Sequence, residues 1–324
     1  MSDTNTATTT DTDTATATAT ATTATMTTNT TTPLNKSSCE NLGDRMKMYE
    51  TSMNTLHIEG NVPFVIRLDG HGFSKFTRKF VKPWDIRVHN AMVEAANVLM
   101  KEFNPSLIYS FSDEITMCFP ALSDEEYQER IKVTQGKTLV PFSGKVQKLI
   151  TLSAGAASTS FYKSLAAQHY DTATDAELIQ HVTTSLPHFD ARIFVLPSNQ
   201  EILNNLIWRS VFDCKRNSVS GLAQAHFPHK MTQGKGSGQM KEMLLTKGIN
   251  YDDEPDWYKY GVFLKRQYHT FESVSPVTKE TVQSQRTRFR MDSFNINLLP
   301  TALDYVTIKT LPEDFTLVTI NPTT

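Results

Sequence analysis

The sequence predicts an α+β fold: a ferredoxin-like antiparallel sheet with helices packed on it, behind a disordered N-terminal tail. Two observations carry that expectation. Composition breaks sharply near residue 32, and after Cys39 the apolar segments follow the order strand, helix, strand hairpin, helix, strand without a second low-complexity linker.

Residues 1–32 hold 18 Thr and three Asp, with no Lys, no Arg and no aromatic residue. Such a segment has almost nothing apolar to bury against the entropy of ordering it. Residues 1–40 are therefore expected to be a disordered Thr-rich tail, and 41–324 to form the folded domain with a C-terminal extension. The tail has Asp3, Asp11 and Asp13 and no base, the reverse of a mitochondrial presequence, so a cytoplasmic location is expected.

The chain carries 32 Lys and Arg against 34 Asp and Glu, a formal charge of −2. Bulk affinity for nucleic acid is excluded, and any such site must come from local arrangement. Cys39, Cys118 and Cys214 show no CxxC pairing, which excludes a disulfide framework and an all-thiolate zinc site. No apolar run approaches the roughly 20 residues that a membrane span needs.

Met46, Met48, Tyr49 and Met53 suggest a short leading helix. Val62 to Leu68 is a β-branched apolar run ending in Asp69-Gly70, which reads as a strand and turn. After Pro83, apolar residues from Ile86 to Phe103 fall mostly at helical spacing. Leu107–Phe111 and Ile115–Phe119 read as two strands, joined by the tight hairpin Ser112-Asp113-Glu114. A helix follows over about Lys145 to Leu165, then a strand over Asp190 to Leu196, then a helix starting at Pro197-Ser198-Asn199. Gln233 to Gly238 reads as a flexible loop before a helix at Met240–Leu245. From Asn250 onward, short strands alternate with polar loops.

The two acidic turns are the most informative feature. In a sheet of this order the first strand lies beside the hairpin, so Asp69 and Asp113 converge. Two carboxylates placed so can hold two divalent cations roughly 4 Å apart, and hard oxygen donors select Mg²⁺ over zinc. The glycines of Gly70-His71-Gly72-Phe73-Ser74 let the backbone approach a ligand, and its amides with the Ser74 hydroxyl could cradle a triphosphate. Lys75, Arg78, Lys79 and Lys82 follow, as phosphate contacts or as a solvated face. Trp208-Arg209 reads equally as a base-stacking or phosphate-binding pair, or as a core Trp with a satisfied Arg. Arg286, Arg288 and Arg290 share one face if extended, where they could meet an RNA backbone. Cys214 is expected to be a small buried residue.

Arg67-Leu68-Asp69-Gly70-x-x-Phe73, Lys82-Pro83-x-Asp85 and Tyr109-Ser110-Phe111-Ser112-Asp113-Glu114 resemble the motifs of the tRNA(His) guanylyltransferase family. The likeness continues through Phe189-Asp190-Ala191-Arg192, Trp208-Arg209 and Asp213-Cys214 to Ile249-Asn250-Tyr251, over roughly residues 45–260. It implies a polymerase-like palm and a nucleotidyltransferase working with two Mg²⁺ ions, with ATP, GTP and other nucleoside triphosphates as substrates. Metal ligands would fall on Asp69, the Gly70 carbonyl and Asp113, with Glu114 as the neighbouring catalytic acid. Nucleotide contacts would fall on residues 69–74 (Asp69, Gly70, His71, Gly72, Phe73, Ser74), Ser112 and Asp113, with Lys82, Lys145 and Lys148 taking the triphosphate or the RNA 5′ end. Family members activate a 5′-monophosphorylated tRNA with ATP; the 3′-hydroxyl of an incoming nucleotide then displaces AMP. They assemble as tetramers.

Two departures refine the expectation. The His-Ile-Asn-Asn run that follows Asp-Cys in the tRNA(His) enzymes is replaced by Lys215-Arg216-Asn217-Ser218, and Ser74 stands where the eukaryotic enzymes have His. Both resemble the guanylyltransferase-like branch, which rebuilds truncated tRNA 5′ ends against a template. A dedicated enzyme adding one G to tRNA(His), and a non-catalytic RNA-binding paralogue, are the alternatives. The family Lys near the 234–238 loop is open between Lys235 and Lys241.

Overall fold

A computed structural model describes residues 27–28, 41–137, 139–274 and 279–320. The expected tail, 1–40, lies outside the described residues apart from the strand Thr27–Thr28, which pairs antiparallel with Leu56–His57. The leading helix is α1 (Leu42–Ser52), capped by the Asn41 side chain, which accepts from the Asp44 amide.

Four strands and two helices form the expected βαββαβ unit: β1 (Phe64–Gly70), α2 (Ile86–Phe103), β2 (Leu107–Phe111), β3 (Glu114–Phe119), α4 (Val146–Ala166) and β4 (Phe189–Val195). Two further helices intervene, α3 (Asp124–Val133), started by a Ser123/Glu126 capping box, and α5 (Ala176–Thr184), between α4 and β4. Spatial order in the sheet is β4-β1-β3-β2, all antiparallel. That is the ferredoxin-like arrangement the segment order predicts.

β1 shows why its apolar run lacks the alternation of a half-solvated strand. Phe64, Ile66 and Leu68 enter a core with α2 and α4, while Val65 enters a second core on the opposite face. The sequence places helices on one face only. Here the other face is covered too, by α6 (Asn199–Ile207), α7 (Cys214–His226) and the segment around Phe294–Leu311. Ser198 caps α6, its hydroxyl accepting from the Glu201 amide. The six residues Trp208–Asp213 between α6 and α7 form a π-helical turn.

Beyond β2 the sheet continues through β5 (Val262–Val274) and β6 (Thr281–Asp292), and a short parallel strand, β7 (Thr310–Leu311), pairs with β5. These are strands of 13 and 12 residues, where the sequence predicts only short ones. Their polar residues hide the pattern: Lys265 and Gln267 are buried, held by main-chain carbonyls of Ile308, Pro312 and Glu313. The expected 233–238 loop is shorter than predicted, since a helix already starts at Ser237 (Ser237–Leu245).

Candidate functional site

β1 ends in Asp69-Gly70, and the β2–β3 hairpin turns through Ser112 and Asp113 immediately beside it. Ser112 sits at φ 52°, in the left-handed region that a tight two-residue hairpin requires at its first central position. The Gly70 amide donates to the Asp113 carbonyl at 3.0 Å, which ties the two acidic turns together. Glycine is needed at 70 for close packing: a Cβ there would lie 2.4 Å from the Phe73 ring. Phe73 then opens a single helical turn, and its ring packs on Phe161 and Phe189.

Burial, together with the negative charge of Asp69, pushes the Asp113 carboxyl above its usual range, although the Ser112 hydroxyl donates to it at 3.1 Å. A carboxylate held this way gains from a cation. Beside it opens a cavity of about 290 Å³ lined by Phe73, Ser74, Lys82, Ser112, Asp113 and Asn217 among others. On its far wall His89 stacks on Trp257 at 4.0 Å, and burial holds its imidazole down at about 4, hence neutral near pH 7. Lys82 is lowered by partial burial against the nearby charge of Asp85. Asp85 caps α2. Burial would raise its carboxyl, but hydrogen bonds from the Arg87 side chain and from the amides of Arg87 and Val81 hold it below the usual range.

Thus Asp69, Gly70, Phe73, Ser74, Lys82, Ser112 and Asp113 are brought to one place. His71 projects beside them and stacks on His188 at 4.9 Å. Gly72, at φ 66°, forms the left-handed N-cap of the turn at Phe73. Lys145 and Lys148 are not brought there. They stand at the N-terminal end of α4, whose Phe161 meets Phe73; the helix rises about 20 Å between Lys148 and Phe161. The sequence puts them on the right helix but at its wrong end.

Glu114 is not a free acid. Its carboxylate is paired with Arg209, and Arg67 approaches it at 4.0 Å while reaching Asp69 at 3.4 Å. Arg209 is in turn held by Asp213 at 2.6 Å, and Asp213 is also paired with Arg216. Neither reading of Trp208-Arg209 holds for both residues: Trp208 is exposed and stacks on Phe212, whereas Arg209 is buried. Trp257 and the ion-pair chain Arg67–Glu114–Arg209–Asp213 are not apparent from the sequence. Two spacings could have flagged the last: Arg67 and Asp69 share a strand face, and Arg209 and Asp213 are four apart on a helix. Arg288 and Arg290 share a face as expected and are engaged internally, by Gln267 and by Asp292. Cys214 and Cys118 are buried, and burial pushes both thiols up to about 12. Lys241 pairs with Asp252 at 3.0 Å over the Tyr251 ring.

Two acidic turns joined beside a cavity flanked by Ser and Lys are the arrangement that metal-assisted nucleotidyl transfer needs. Residues 43–197 match the family described as "Thg1: tRNAHis guanylyltransferase". The chain is 34% identical over 233 residues to an uncharacterized protein of Acanthamoeba polyphaga mimivirus, covering 70% of this chain and 78% of that one. It is 30% identical to the tRNA(His) guanylyltransferase of Neurospora crassa, covering 69% of this chain and 72% of the enzyme. A bacterial tRNA(His) guanylyltransferase-like protein, solved in complex with ATP, superposes with a TM-score of 0.62 at 26% identity, covering 82% of this chain and 99% of that one. The chain belongs to the tRNA(His) guanylyltransferase family. Among the described residues no helix is long and apolar enough to cross a membrane.

Proposed function

We propose that this enzyme adds nucleotides in the 3′-to-5′ direction to the 5′ end of tRNA, following a template, and so repairs truncated ends. The observation that carries the reading is the junction of the two acidic turns, Gly70 N–H to Asp113 carbonyl, at the mouth of the cavity. What favours repair over a single dedicated addition is the stretch after Asp213-Cys214, whose Asn217 and Ser218 face the cavity where the His-Ile-Asn-Asn run is missing.

The donor set fits Mg²⁺: two carboxylates, one of them destabilised by burial and by the other's charge, with the Gly70 carbonyl. Among the described residues no cluster of three or more His, Cys, Asp or Glu could hold a metal, so substrate phosphates and water would complete the shell. Asp69, Asp113 and the Gly70 carbonyl would hold the ions. Bound there, Mg²⁺ supplies charge neutralisation at the phosphates and activates the attacking oxygen.

The chain's own residues do the positioning. Ser74, Ser112 and Lys82 line the cavity and would grip the triphosphate, while its aromatic wall of Phe73, Trp257 and His89 would seat a base away from water. In the first reaction the RNA 5′-phosphate displaces pyrophosphate from ATP. In the second, the 3′-hydroxyl of the incoming nucleotide attacks that phosphate and AMP leaves. On the same reading residues 41–324 act as one catalytic domain with a C-terminal extension, in the cytoplasm, as a homotetramer.

The test is a 5′-labelled tRNA lacking its first nucleotide, incubated with Mg²⁺, ATP and all four nucleotides while the opposing base is varied. Addition that follows the opposing base supports repair. Addition of G alone, to tRNA(His) alone, replaces this reading with the dedicated activity that the names of the curated relatives favour. Binding without addition removes both.

A further inference from the structure

In the β1–β3 ladder Asp69 stands directly opposite Glu114, so their side chains emerge on the same face of the sheet. Cross-strand Cβ atoms in such pairs lie about 5 Å apart, and like charges there repel. Three acids, Asp69, Asp113 and Glu114, therefore compete for one small region at the end of the sheet. An unpaired Glu114 would repel Asp69 across the ladder or draw Arg67 away from it.

The structure resolves the competition with one side chain. Arg209, only 9% exposed, reaches from the π-helical turn across the sheet face and takes the Glu114 carboxylate. Asp213, 7% exposed, fixes Arg209 from behind at 2.6 Å. Both acids that Arg209 touches are largely buried, so each depends on it for compensation. The π turn sets this geometry: Arg209 and Asp213 are buried while Trp208 and Phe212 face solvent. Because Glu114 is the first residue of β3, holding its carboxylate also anchors the Ser112–Asp113 turn that precedes it.

We propose that Arg209 is a positioning residue: by occupying Glu114 it keeps that carboxylate out of the cation site and pins the hairpin turn, leaving Asp69 and Asp113 to face the nucleotide's cations. The inference rests on the two-cation reading above. Arg209 lines no part of the cavity, so it acts through Glu114 and not on substrate.

The experiment measures Mg²⁺ dependence of nucleotide addition and, separately, Mn²⁺ binding by electron paramagnetic resonance on the full chain. For Arg209→Gln the half-saturating Mg²⁺ concentration and the Mn²⁺ midpoint should shift together by about tenfold, the scale on which groups around a metal site tune its affinity. Arg209→Lys should recover part of both. In the double variant Arg209→Gln, Glu114→Gln no stray carboxylate remains, so its Mg²⁺ midpoint should fall back toward that of the parent enzyme; this variant also serves if Arg209→Gln alone fails to fold. Unchanged Mg²⁺ and Mn²⁺ midpoints, with only a lowered melting temperature, overturn the inference and make Arg209 a structural residue. Equal and additive losses from Arg209→Gln and Glu114→Gln overturn it as well. Absence of addition by the parent enzyme would instead strike the proposed function.

Discussion

The Gly70 amide and the Asp113 carbonyl are joined by a hydrogen bond of 3.0 Å, although 43 residues separate them in the chain. That bond locks the end of the first palm strand to the hairpin turn and fixes the spacing of the two carboxylates. On the proposed reading, chemistry at this site depends on backbone geometry as much as on the acids themselves.

Asp69→Ala or Asp113→Ala should abolish addition. Loss of cation anchoring removes several kcal/mol of charge stabilisation, so the rate should fall by about a thousandfold or more. Folding should survive. Asp113→Asn in particular removes a carboxyl already raised by burial and by Asp69, so its melting temperature should equal or exceed the parent's. Scanning calorimetry beside the labelled-tRNA assay checks both halves, and retained activity in both Ala variants would remove the two-metal assignment.

Gly70→Ala places a methyl group 2.4 Å from the Phe73 ring. Phe73 is wedged against Phe161 and Phe189 and has little room to move, so overpacking should cost about 1–3 kcal/mol. A denaturant titration measures the loss, and addition should fall because the turn at Ser74 shifts with Phe73.

Lys82 lies in the cavity wall, whereas Lys148 stands at the far end of α4. Lys82→Ala should weaken ATP binding about tenfold, the scale of one charged phosphate contact. Lys148→Ala should leave ATP affinity unchanged. Isothermal titration with each variant separates the two, and equal losses would contradict the placement of Lys148.

Lys265 of β5 is fully buried, its ammonium donating to the Ile308 carbonyl, and burial lowers that ammonium to about 7. Unfolded, it would titrate near 10.5, so between about pH 7 and 10 the unfolded chain binds the extra proton. Stability should therefore rise with pH across that window and lose this contribution below it. Lys309, lowered to about 8 by burial, adds in the same direction. Urea midpoints at pH 7, 8 and 9 should climb in the parent and climb less in Lys265→Met; identical slopes would refute the assignment.

Much of the palm was legible from residue patterns. Ser198 as a cap, the apolar run of β1 and the tight turn Ser112-Asp113-Glu114 between two strands are local signals, and each marks its element within a residue or two. The ribbon of β5 and β6 was not legible, because its buried positions include Lys265 and Gln267, whose burial is compensated by the distant carbonyls of Ile308, Pro312 and Glu313. A polar residue satisfied across the fold leaves no periodic trace in its own segment.

The candidate site divides the same way. By itself the sequence determined the palm's order of elements, the acids Asp69 and Asp113, and the family motifs around them, since these depend on short-range pattern and residue type. Tertiary structure decided which groups meet: it set Lys145 and Lys148 at the remote end of their helix, and it gave Glu114 to Arg209. Sequence separation carries no information about the direction a helix runs past a site, or about which of several opposite charges will fill one buried position. Those outcomes are decided by packing and desolvation, which exist only once the chain has folded.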